Sequence, residues 1–452
     1  MYLFSNINLS KEGVFLKKCS YKPIIFAVIF LLLFIVLARY TEHRNLESLK
    51  GVAYSVSVNG KDINLPEVSD KAIAYKKSNL NIWTISFILT FLIPIFFLVT
   101  GLSKGIRNFI ERRTRRFFII SAVYFIIFTL INFLLTLPLE FYSSFIQPHN
   151  FGLSNQTLVK WLTDSLKSVL LSSITGALFI WFPYYVIRKK EKLWWLYMGF
   201  LSIPIIFFMT FVSPFYIDPI FNKYEDIKDK NLKQKIEVQL KKANLEGTNV
   251  YQVNKSVDTK EMNAYMTGVS KSKRIVLWDT TINNLSDEET LGVLAHEMGH
   301  YVMGHVWKSI ILGGVLIIFV LYLTNKSVLY IIKLSKGKFG FNRISDIAAL
   351  PLILLVLNFY MFLSNPITNT VSRRMEIEAD RFELELTQNT EATITSTIKL
   401  HEASLALPYP GKLFEVWYYS HPPYLERIEF AKDYAPWEKG EPLMYEKYFN
   451  KE

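Results

Sequence analysis

Seven runs of apolar residues along the chain are each close to the length that crosses a membrane. A membrane-spanning helix needs about 20 predominantly apolar residues to cross about 30 Å of hydrocarbon. The runs lie near residues 23–38, 82–102, 117–138, 168–187, 193–214, 309–324 and 347–364. The pattern therefore predicts a mostly α fold class, with seven transmembrane helices in a multi-pass membrane protein.

The first run could also belong to a cleavable signal peptide, because it is short and follows Lys17, Lys18 and Lys22. The tripeptide at 37–39, Leu-Ala-Arg, is a poor small-residue cleavage site, and the basic region before the run is long. We therefore expect the first run to remain in the protein as a span.

Two polar blocks, 215–308 and 365–452, lie outside the apolar runs and are predicted to face water. The first block opens with a charged segment that predicts a helix ending at Gly247. Alternating and β-branched residues then predict three strands, in the segments 248–253, 263–269 and 274–282. The second block has a mainly helical pattern.

These boundaries divide the chain into four segments. They are 1–214 with spans one to five, 215–308 with the first water-facing part, 309–364 with spans six and seven, and 365–452 with the second water-facing part. The stretch 39–78 between the first two spans is polar, and its Asn-Gly dipeptide predicts a tight turn.

The composition supports the membrane assignment, with 51% hydrophobic and 15% aromatic residues. The net charge of +12 does not indicate nucleic-acid binding, because Lys and Arg cluster in the short connections between spans. Cys19 is the only cysteine, which excludes an intrachain disulfide and a cysteine-rich metal site. Any metal must therefore be held by His, Asp or Glu.

Basic residues are unevenly divided between the two sides that seven spans define. Nineteen Lys and Arg residues lie on one side, in 1–22, 103–116, 188–192 and 325–345. Eight lie in the short connections of the other side, 39–78 and 139–165. Because basic residues near spans concentrate in the cytoplasm, this bias places the N-terminus in the cytoplasm and the water-facing domain outside it.

A further helix is predicted to begin at Ser286. Ser286 and Glu289 have the spacing of a capping box. The apolar residues of the segment recur at helical spacing, namely Leu291, Leu294, Met298 and Val302. The pentapeptide at 296–300, His-Glu-Met-Gly-His, lies on this helix and matches the pattern H-E-x-x-H.

The spacing of His296 and His300 favours a zinc site. Residues four apart share one face of a helix, so both imidazoles can reach one zinc ion, with Glu297 beside them as general base for a water molecule. A polar helix face with two solvated histidines is the alternative explanation. The capping box and the preceding strands argue against it.

A catalytic zinc site usually has three protein ligands and one position for water, so a third ligand must come from elsewhere. Glu376 and Asp380 would share one helical face, but spacing alone does not choose among the acidic residues of 372–386. The candidates are Glu376, Glu378, Asp380, Glu383 and Glu385. A solvated acidic helix is the alternative explanation of this segment.

Several motifs occur in the order found in the type I CAAX prenyl proteases, which are integral-membrane zinc peptidases. They are H-E-x-G-H at 296–300, S-R-x-x-E-x-x-A-D at 372–380 and SHPPYLERI at 420–428. The segments HNFGLSNQTL and NAYMTGVSKSKRIVLWDT extend the similarity. The chain resembles this family from about residue 80 onward.

The resemblance implies a ligand set and a mechanism. It makes Glu376 the third zinc ligand beside His296 and His300, and it makes Glu297 the base. The implied activity is that of a zinc metalloendopeptidase, which hydrolyses peptide bonds with a zinc-activated water molecule. The implied cofactor is one zinc ion per chain.

Further roles follow from the same resemblance. Asp380 would orient a zinc-bound histidine, and His421 would stabilise the oxyanion formed when water attacks the scissile carbonyl. Asn263, Ala264 and Tyr265 resemble the edge strand of the family beside the zinc, where an extended peptide could pair through its main chain.

The family's fold implies seven spans around a water-filled chamber, with a small α/β zincin-like domain assembled from 215–308 and 365–452. In eukaryotic members the zinc domain faces the cytosol, which is opposite to the charge bias. The polar stretch 39–78 and the lack of a long acidic insert before the zinc helix depart from the family. Those differences leave the requirement for a prenylated substrate open.

The remaining histidines are predicted to be structural. His305 follows His300 by five residues, about 140° around a continuous helix, so it cannot share the metal face. The others are His43, His149 and His401.

The sequence thus predicts a membrane zinc metalloendopeptidase. Its substrates would be peptides or proteins, either prenylated at the C-terminus or damaged and stalled membrane proteins, with lipid as its surroundings. A transporter or receptor that binds metal without catalysis is the alternative from another class.

Overall fold

The computed structural model describes residues 22–58, 60–269 and 272–450 of the chain. Lys17, Lys18 and Cys19, which entered the sequence predictions, lie outside them. Within the described residues, seven helical segments are long and apolar enough to cross a membrane, which confirms the seven predicted spans. They are Lys22–Ser48, Asp70–Val99, Phe117–Asn150, Leu158–Lys189, Trp194–Phe211, His305–Ser335 and Ile347–Thr387.

The helices are numbered in chain order. The α-helices up to the sheet are α1 Lys22–Ser48, α2 Asp70–Val99, α3 Leu102–Glu111, α4 Phe117–Phe141, α5 Gln147–Asn150, α6 Leu158–Phe179, α7 Trp181–Lys189, α8 Trp194–Phe211, α9 Ser213–Tyr216 and α10 Lys230–Lys242. The later ones are α11 Asp279–Asn284, α12 Asp287–Val302, α13 His305–Ser335, α14 Leu350–Thr387, α15 Thr390–Ala403, α16 Lys412–Tyr418 and α17 Tyr424–Asp433. A π-helical turn at Tyr142–Ile146 links α4 to α5, and short 3-10 turns cover Asp218–Ile220, Lys255–Val257, Ile347–Ala349, Pro436–Lys439 and Glu446–Tyr448.

The strands form two sheets. Strands β1 Tyr54–Val58 and β2 Lys61–Leu65 make an antiparallel hairpin, and Gly60 between them has a φ of +77°. Asn59, the other residue of the predicted Asn-Gly turn, lies outside the described residues. Strands β3 Tyr224–Asp226, β4 Asn249–Val253, β5 Ala264–Thr267 and β6 Arg274–Trp278 make a sheet of order β3-β4-β6-β5. Only the β4–β6 pair in that sheet is parallel.

The three strands predicted from the alternating pattern are present, but the last two are shorter than expected. The second, predicted at 263–269, covers only Ala264–Thr267. Strand β6 ends at Trp278, and the residues from Asp279 onward form α11 instead. The Asp279 carboxylate accepts hydrogen bonds from the backbone N–H of Ser256 and of Thr280, at 2.8 and 2.9 Å. These bonds favour a helix start over a continued strand.

The charged helix before the sheet is also present, with a different end. Asp229 caps the start of α10 by accepting from the backbone N–H groups of Asn231 and Leu232. The helix ends at Lys242, and the left-handed residue that follows it is Asn244, with a φ of 55°. The prediction that Gly247 ends the helix is therefore wrong, because asparagine takes the left-handed conformation earlier.

Helix α14 connects the membrane part to the water-facing part. It has 38 residues and continues through Pro366, so the last span and the acidic segment form one helix. Its far end joins α12 and the larger sheet in one buried apolar cluster that includes Leu294, Met298 and Phe382. Along the spans, large apolar side chains such as Phe26 and Val99 are 71% exposed, as expected for a surface that faces lipid.

Candidate metal centre

Helix α12 begins with the capping box predicted from the sequence. The Ser286 side chain accepts from the backbone N–H of Glu289, and the Glu289 side chain accepts from the backbone N–H of Ser286. The side chains of Leu294, Ala295 and Met298 are completely buried. This burial fixes the rotation of the helix and turns the face with His296 and His300 toward α14.

The two histidines of the motif converge as the spacing predicts. The Nε2 atoms of His296 and His300 lie 3.1 Å apart. Glu376, on α14, brings one carboxylate oxygen to 3.2 Å from His296 Nε2 and the other to 3.4 Å from His300 Nε2. The ligand atoms of the three residues all lie within 4.8 Å of one another.

Among the five acidic candidates on α14, only Glu376 reaches both histidines. Glu378 points to His305 instead, with 2.9 Å between Oε2 and Nε2. Glu385 accepts hydrogen bonds from Tyr434 and from the backbone N–H groups at 444 and 445. The helix turns these carboxylates away from the face that carries Glu376.

A second cluster also brings His296, Asp380 and Glu383 within 4.8 Å. The guanidinium of Arg427 donates to both oxygens of Asp380, at 2.5 and 3.0 Å. Thr393 donates to Glu383 at 2.7 Å. Because a fixed cation already satisfies Asp380, this cluster is a poor place for a metal ion.

Asp380 instead holds the ring of His296. Its Oδ1 lies 2.9 Å from His296 Nδ1, so the ring donates there and turns its Nε2 toward Glu376. Burial disfavours the protonated ring, but hydrogen bonds to Asp380 and Glu376 outweigh burial and raise the pKa of His296 to about 10. The carboxylates around the His296 ring therefore favour a positive charge there.

The structure revises the reasoning about His305. Gly304 adopts a φ of +66°, which ends α12 and starts α13 in a new direction. The assumption of a continuous helix is therefore wrong, and His305 Nδ1 lies 2.9 Å from His300 Nδ1. With His305 Nε2 against Glu378, a chain of hydrogen bonds holds the His300 ring and directs its Nε2 inward.

Arg427 is a second residue that the sequence reasoning missed. It lies within the segment SHPPYLERI, but a single arginine in an amphipathic helix gives no signal of its own. Burial disfavours its charge, yet the carboxylate of Asp380 outweighs burial and raises the pKa of Arg427 above its ordinary range. It thereby fixes Asp380, and its Nη2 also lies 3.5 Å from His296 Nδ1.

Glu297 and His421 lie beside the cluster. Burial raises the pKa of the Glu297 carboxyl despite the nearby histidines, and a raised pKa suits a group that must accept a proton. His421 Nε2 lies 3.5 Å from Glu376 Oε1, and 62% of the His421 side chain is exposed.

Strand β5 is an edge of the larger sheet and packs against α12. The backbone of Asn263 is bonded inward, since its C=O accepts from Trp278 and its N–H donates to Thr281. The N–H of Ala264 donates to the Asn263 side chain at 2.8 Å. Because bonded and non-bonded pairs alternate, Tyr265 also bonds inward, and the backbone of Ala264 and Met266 faces the open edge.

The other histidines lie away from the cluster. Both ring nitrogens of His149 contact backbone carbonyls, at 2.6 and 2.9 Å. His401 Nδ1 contacts the carbonyl of Thr397 at 2.7 Å. His43 is exposed on α1.

The donor set of His296, His300 and Glu376 fits a divalent metal ion. Both imidazoles have their Nδ1 atoms engaged outward, so two nitrogen lone pairs and a carboxylate face one point. Three such acceptors at 3.1 to 3.4 Å repel one another unless a positive charge lies between them. Two imidazoles and one glutamate also leave a position for water.

Two family models match the chain. Peptidase family M48 matches residues 226–435, and the family described as CAAX prenyl protease N-terminal, five membrane helices, matches residues 55–223. The first match contains every residue of the cluster described above.

Relatives match over most of their length. An uncharacterized metalloprotease, YhfN, of Bacillus subtilis is 36% identical over 80% of this chain and 86% of the relative. The CAAX prenyl protease 1 homologues of Dictyostelium discoideum and Homo sapiens are 29% and 27% identical, over 80% and 69% of this chain and 84% and 73% of theirs. The crystal structure of S. mikatae Ste24p aligns with a TM-score of 0.77 at 22% identity, over 91% of this chain and 99% of that one.

Proposed function

This chain belongs to peptidase family M48 and is a multi-pass membrane metallopeptidase, and we propose that its metal is one zinc ion held by His296, His300 and Glu376. The observation that carries the proposal is the convergence of their three ligand atoms within 4.8 Å, across two helices. Membership in a peptidase family implies a peptide or protein substrate and gives no support to a non-catalytic transporter or receptor.

The zinc ion would polarise the scissile carbonyl and lower the pKa of a water molecule. Glu297 would take the proton from that water and pass it to the leaving amine, a transfer that its raised pKa favours. His421 would donate to the oxygen of the tetrahedral intermediate, and its exposed ring lies beside Glu376 at the open side of the cluster. Asp380 would keep His296 in the tautomer that binds metal.

An extended substrate would pair with the open edge of β5. The C=O of Ala264 and the N–H of Met266 are the groups that face this edge, while Asn263 and Tyr265 hold the strand in the sheet. Main-chain pairing recognises a peptide backbone and tolerates different side chains. The edge would thus place the scissile bond along α12, on which β5 packs.

The metallopeptidase domain would consist of 215–308 and 365–452, with spans six and seven between them and 1–214 as the membrane part. The family match over 226–435 includes both parts and the spans between them. The continuous helix α14 supports this arrangement, since it carries the polypeptide from the last span directly to Glu376.

The proposed substrate is a peptide prenylated near its C-terminus, held at the membrane by its lipid group. This proposal rests on relatives named CAAX prenyl protease 1. Damaged or stalled membrane proteins are the alternative substrates. The experiment measures zinc in the purified chain and follows cleavage of one peptide with and without its prenyl group, before and after chelation.

The proposal expects about one zinc per chain, cleavage lost on chelation and restored by zinc, and a strong preference for the prenylated peptide. A zinc-loaded chain that cleaves neither peptide contradicts the assigned mechanism. Equal cleavage of both peptides leaves the mechanism intact but contradicts the prenylated substrate and favours the alternative.

We further propose that the metal site lies outside the cytoplasm. The basic connections around Arg107, Arg188 and Arg343 meet in one cavity, at the ends of the spans away from α12. From Leu350 to Glu376, α14 rises roughly 39 Å at 1.5 Å per residue, enough to cross the hydrocarbon. The side with 19 basic residues would be cytoplasmic.

A thiol-labelling experiment tests this orientation. In intact cells a membrane-impermeant maleimide should leave Cys19 unlabelled. In a Cys19→Ser background, Lys412→Cys should react, because the Lys412 side chain is 77% exposed on the metal-site side. The reverse labelling pattern would place the metal site in the cytosol.

A further inference from the structure

A cavity of about 700 Å³ lies at the ends of the spans opposite the metal centre. It is formed by the end of α3, the start of α4, the end of α7 and the segment before α14. Four arginines line it, Arg107, Arg115, Arg188 and Arg343, with only two acidic residues, Glu111 and Asp346. None of these side chains takes part in the proposed reaction.

Arg107 forms ion pairs with both acidic residues of the cavity. Its guanidinium forms an ion pair with Asp346 and a longer one with Glu111, at 3.8 Å, and it also donates to the carbonyl of Gly340. The side chain of Arg107 is only 13% exposed. It therefore forms a fixed wall of the cavity, in which its charge is paired with these carboxylates.

The other three arginines have no acidic partner among the described residues. No hydrogen bond or ion pair of the Arg115 or Arg343 guanidinium occurs within 22–58, 60–269 and 272–450, and both side chains are exposed. The guanidinium of Arg188 lies over the ring of Phe117 at 4.4 Å, which holds it at the cavity without using its hydrogen-bond donors. The cavity thus has four arginines against two acidic residues, a net charge of +2, and three of its guanidinium groups have free donors.

The cavity lies at the ends of the spans, at the level where the membrane surface would be. Phe117 is the first residue of the third span, and Arg188 lies at the end of the fourth. Phe117, Ile120 and Ile347 give the cavity an apolar side next to the arginines. A ligand that fits both sides has an anionic head and an apolar body.

We propose that this cavity binds the phosphate head group of an anionic membrane phospholipid. Arginine donates pairs of parallel hydrogen bonds to phosphate oxygens. Basic pockets between transmembrane helices are suited to anionic lipid head groups. Arg115, Arg188 and Arg343 contact the phosphate, while the apolar side contacts the upper part of the acyl chains.

The test uses the full chain in detergent and native mass spectrometry with three probes. These are phosphatidylglycerol, phosphatidylcholine with the same acyl chains, and soluble glycerol 3-phosphate. The double substitution Arg115→Gln/Arg343→Gln should weaken phosphatidylglycerol binding about tenfold or more. Phosphatidylcholine binding should not change, and glycerol 3-phosphate should bind much more weakly than the lipid.

The matched control is Arg112→Gln/Arg116→Gln, which removes the same charge from the connection that carries Arg115, but from residues that do not line the cavity. It should retain phosphatidylglycerol binding. Equal loss in both double variants would overturn the proposal in favour of general surface charge. Equally tight binding of glycerol 3-phosphate and phosphatidylglycerol would overturn the assignment to a lipid, leaving a site for soluble phosphate esters.

Both double variants are surface changes and should fold, which equal melting temperatures in detergent would confirm. If Arg115→Gln/Arg343→Gln unfolds, Arg115→Lys/Arg343→Lys replaces it. This variant keeps the charge but loses the paired donors, so it should bind the lipid with intermediate affinity. Unchanged affinity in the lysine variant would contradict recognition by the arginine forks.

Discussion

Helices α12 and α14 meet at the metal centre, but they are built for different surroundings. Helix α12 has 16 residues, three acidic residues in its first turn and a complete capping box. Helix α14 has 38 residues, starts among apolar residues of the membrane part and becomes acidic only near its end. The first is stabilised by its own caps and core contacts, and the second by the packing of a transmembrane bundle.

The difference separates two contributions to one site. Helix α12 supplies two histidines on one face, with Glu297 beside them. Their spacing along a single helix is enough to predict metal binding and a general base. Helix α14 supplies Glu376 at a position that depends on how the last span packs. The proposed catalytic base and two of the proposed ligands are therefore local to one helix, whereas completion of the proposed ligand set depends on the membrane part of the molecule.

The largest expected effect tests the chemical contribution of α12. Glu297→Gln should lower kcat about 10²- to 10⁴-fold, because the amide cannot take the proton from water. Its zinc content should stay unchanged, since Glu297 is not one of the three converging ligands. Peptide cleavage assays and metal analysis on the same preparation check this. Near-normal cleavage would show that another group is the base.

The next effect tests the contribution of α14. Glu376→Ala should weaken zinc binding more than a hundredfold, measured by competition with a chelator. Loss of a residue that only hydrogen-bonds to a metal ligand already lowers metal affinity about 10- to 100-fold, and loss of a ligand should lower it further. Glu383→Ala, on the same helix, is the matched control and should retain most of its zinc. Glu378→Ala, which removes only the partner of His305, should weaken zinc binding no more than about tenfold. Equal zinc affinity in all three variants would refute the ligand assignment.

A smaller effect tests the hydrogen-bonded chain that links the two helices through His305. His305→Phe should weaken zinc binding about tenfold, because the His300 ring loses the acceptor at 2.9 Å that fixes its tautomer. His305→Gln, which keeps an acceptor, should recover part of the loss. His43→Gln, on exposed α1, is the control. A His305→Phe variant with native zinc affinity would make this residue purely structural.

The smallest effect tests the contact between the helices without touching a ligand. A Cβ at Gly299 would lie 3.0 to 3.2 Å from the Phe382 side chain, so Gly299→Ala should push α12 away from α14. We expect zinc binding to weaken a few-fold and stability to fall by about 1 kcal/mol, since overpacking costs about 1–3 kcal/mol and helix propensity returns part of it.

The control for Gly299→Ala is Gly313→Ala on α13, where a Cβ would have no neighbour within 4 Å. This control should not change zinc affinity, and its melting temperature in detergent should stay the same or rise, because alanine favours the helix over glycine. If both variants behaved alike, the close approach of the two helices would not matter for the site.

Local patterns predicted the elements well where the cause is local. The apolar runs identified all seven spans, and the Ser286 capping box and the hairpin of β1 and β2 are both present. The predictions were wrong where two local backbone conformations compete. Asn244 takes the left-handed conformation before Gly247 is reached, and the residues after Trp278 turn into α11 once the Asp279 side chain bonds to the backbone.

By itself, the sequence determined the membrane class, the spans and the pairing of His296 with His300, because hydrophobicity and helical periodicity act over a few residues. The family resemblance also implied Glu376 as the third ligand, but local spacing did not choose it, and only the tertiary structure brings it, among five acidic residues of one helix, to those histidines. Only there do Arg427 and His305 lie behind them. Their positions depend on packing between segments about 80 and 130 residues apart, together with a helix break at Gly304. Contacts across such separations are set by the burial of Leu294, Met298 and Phe382 in a shared core, which no local pattern specifies.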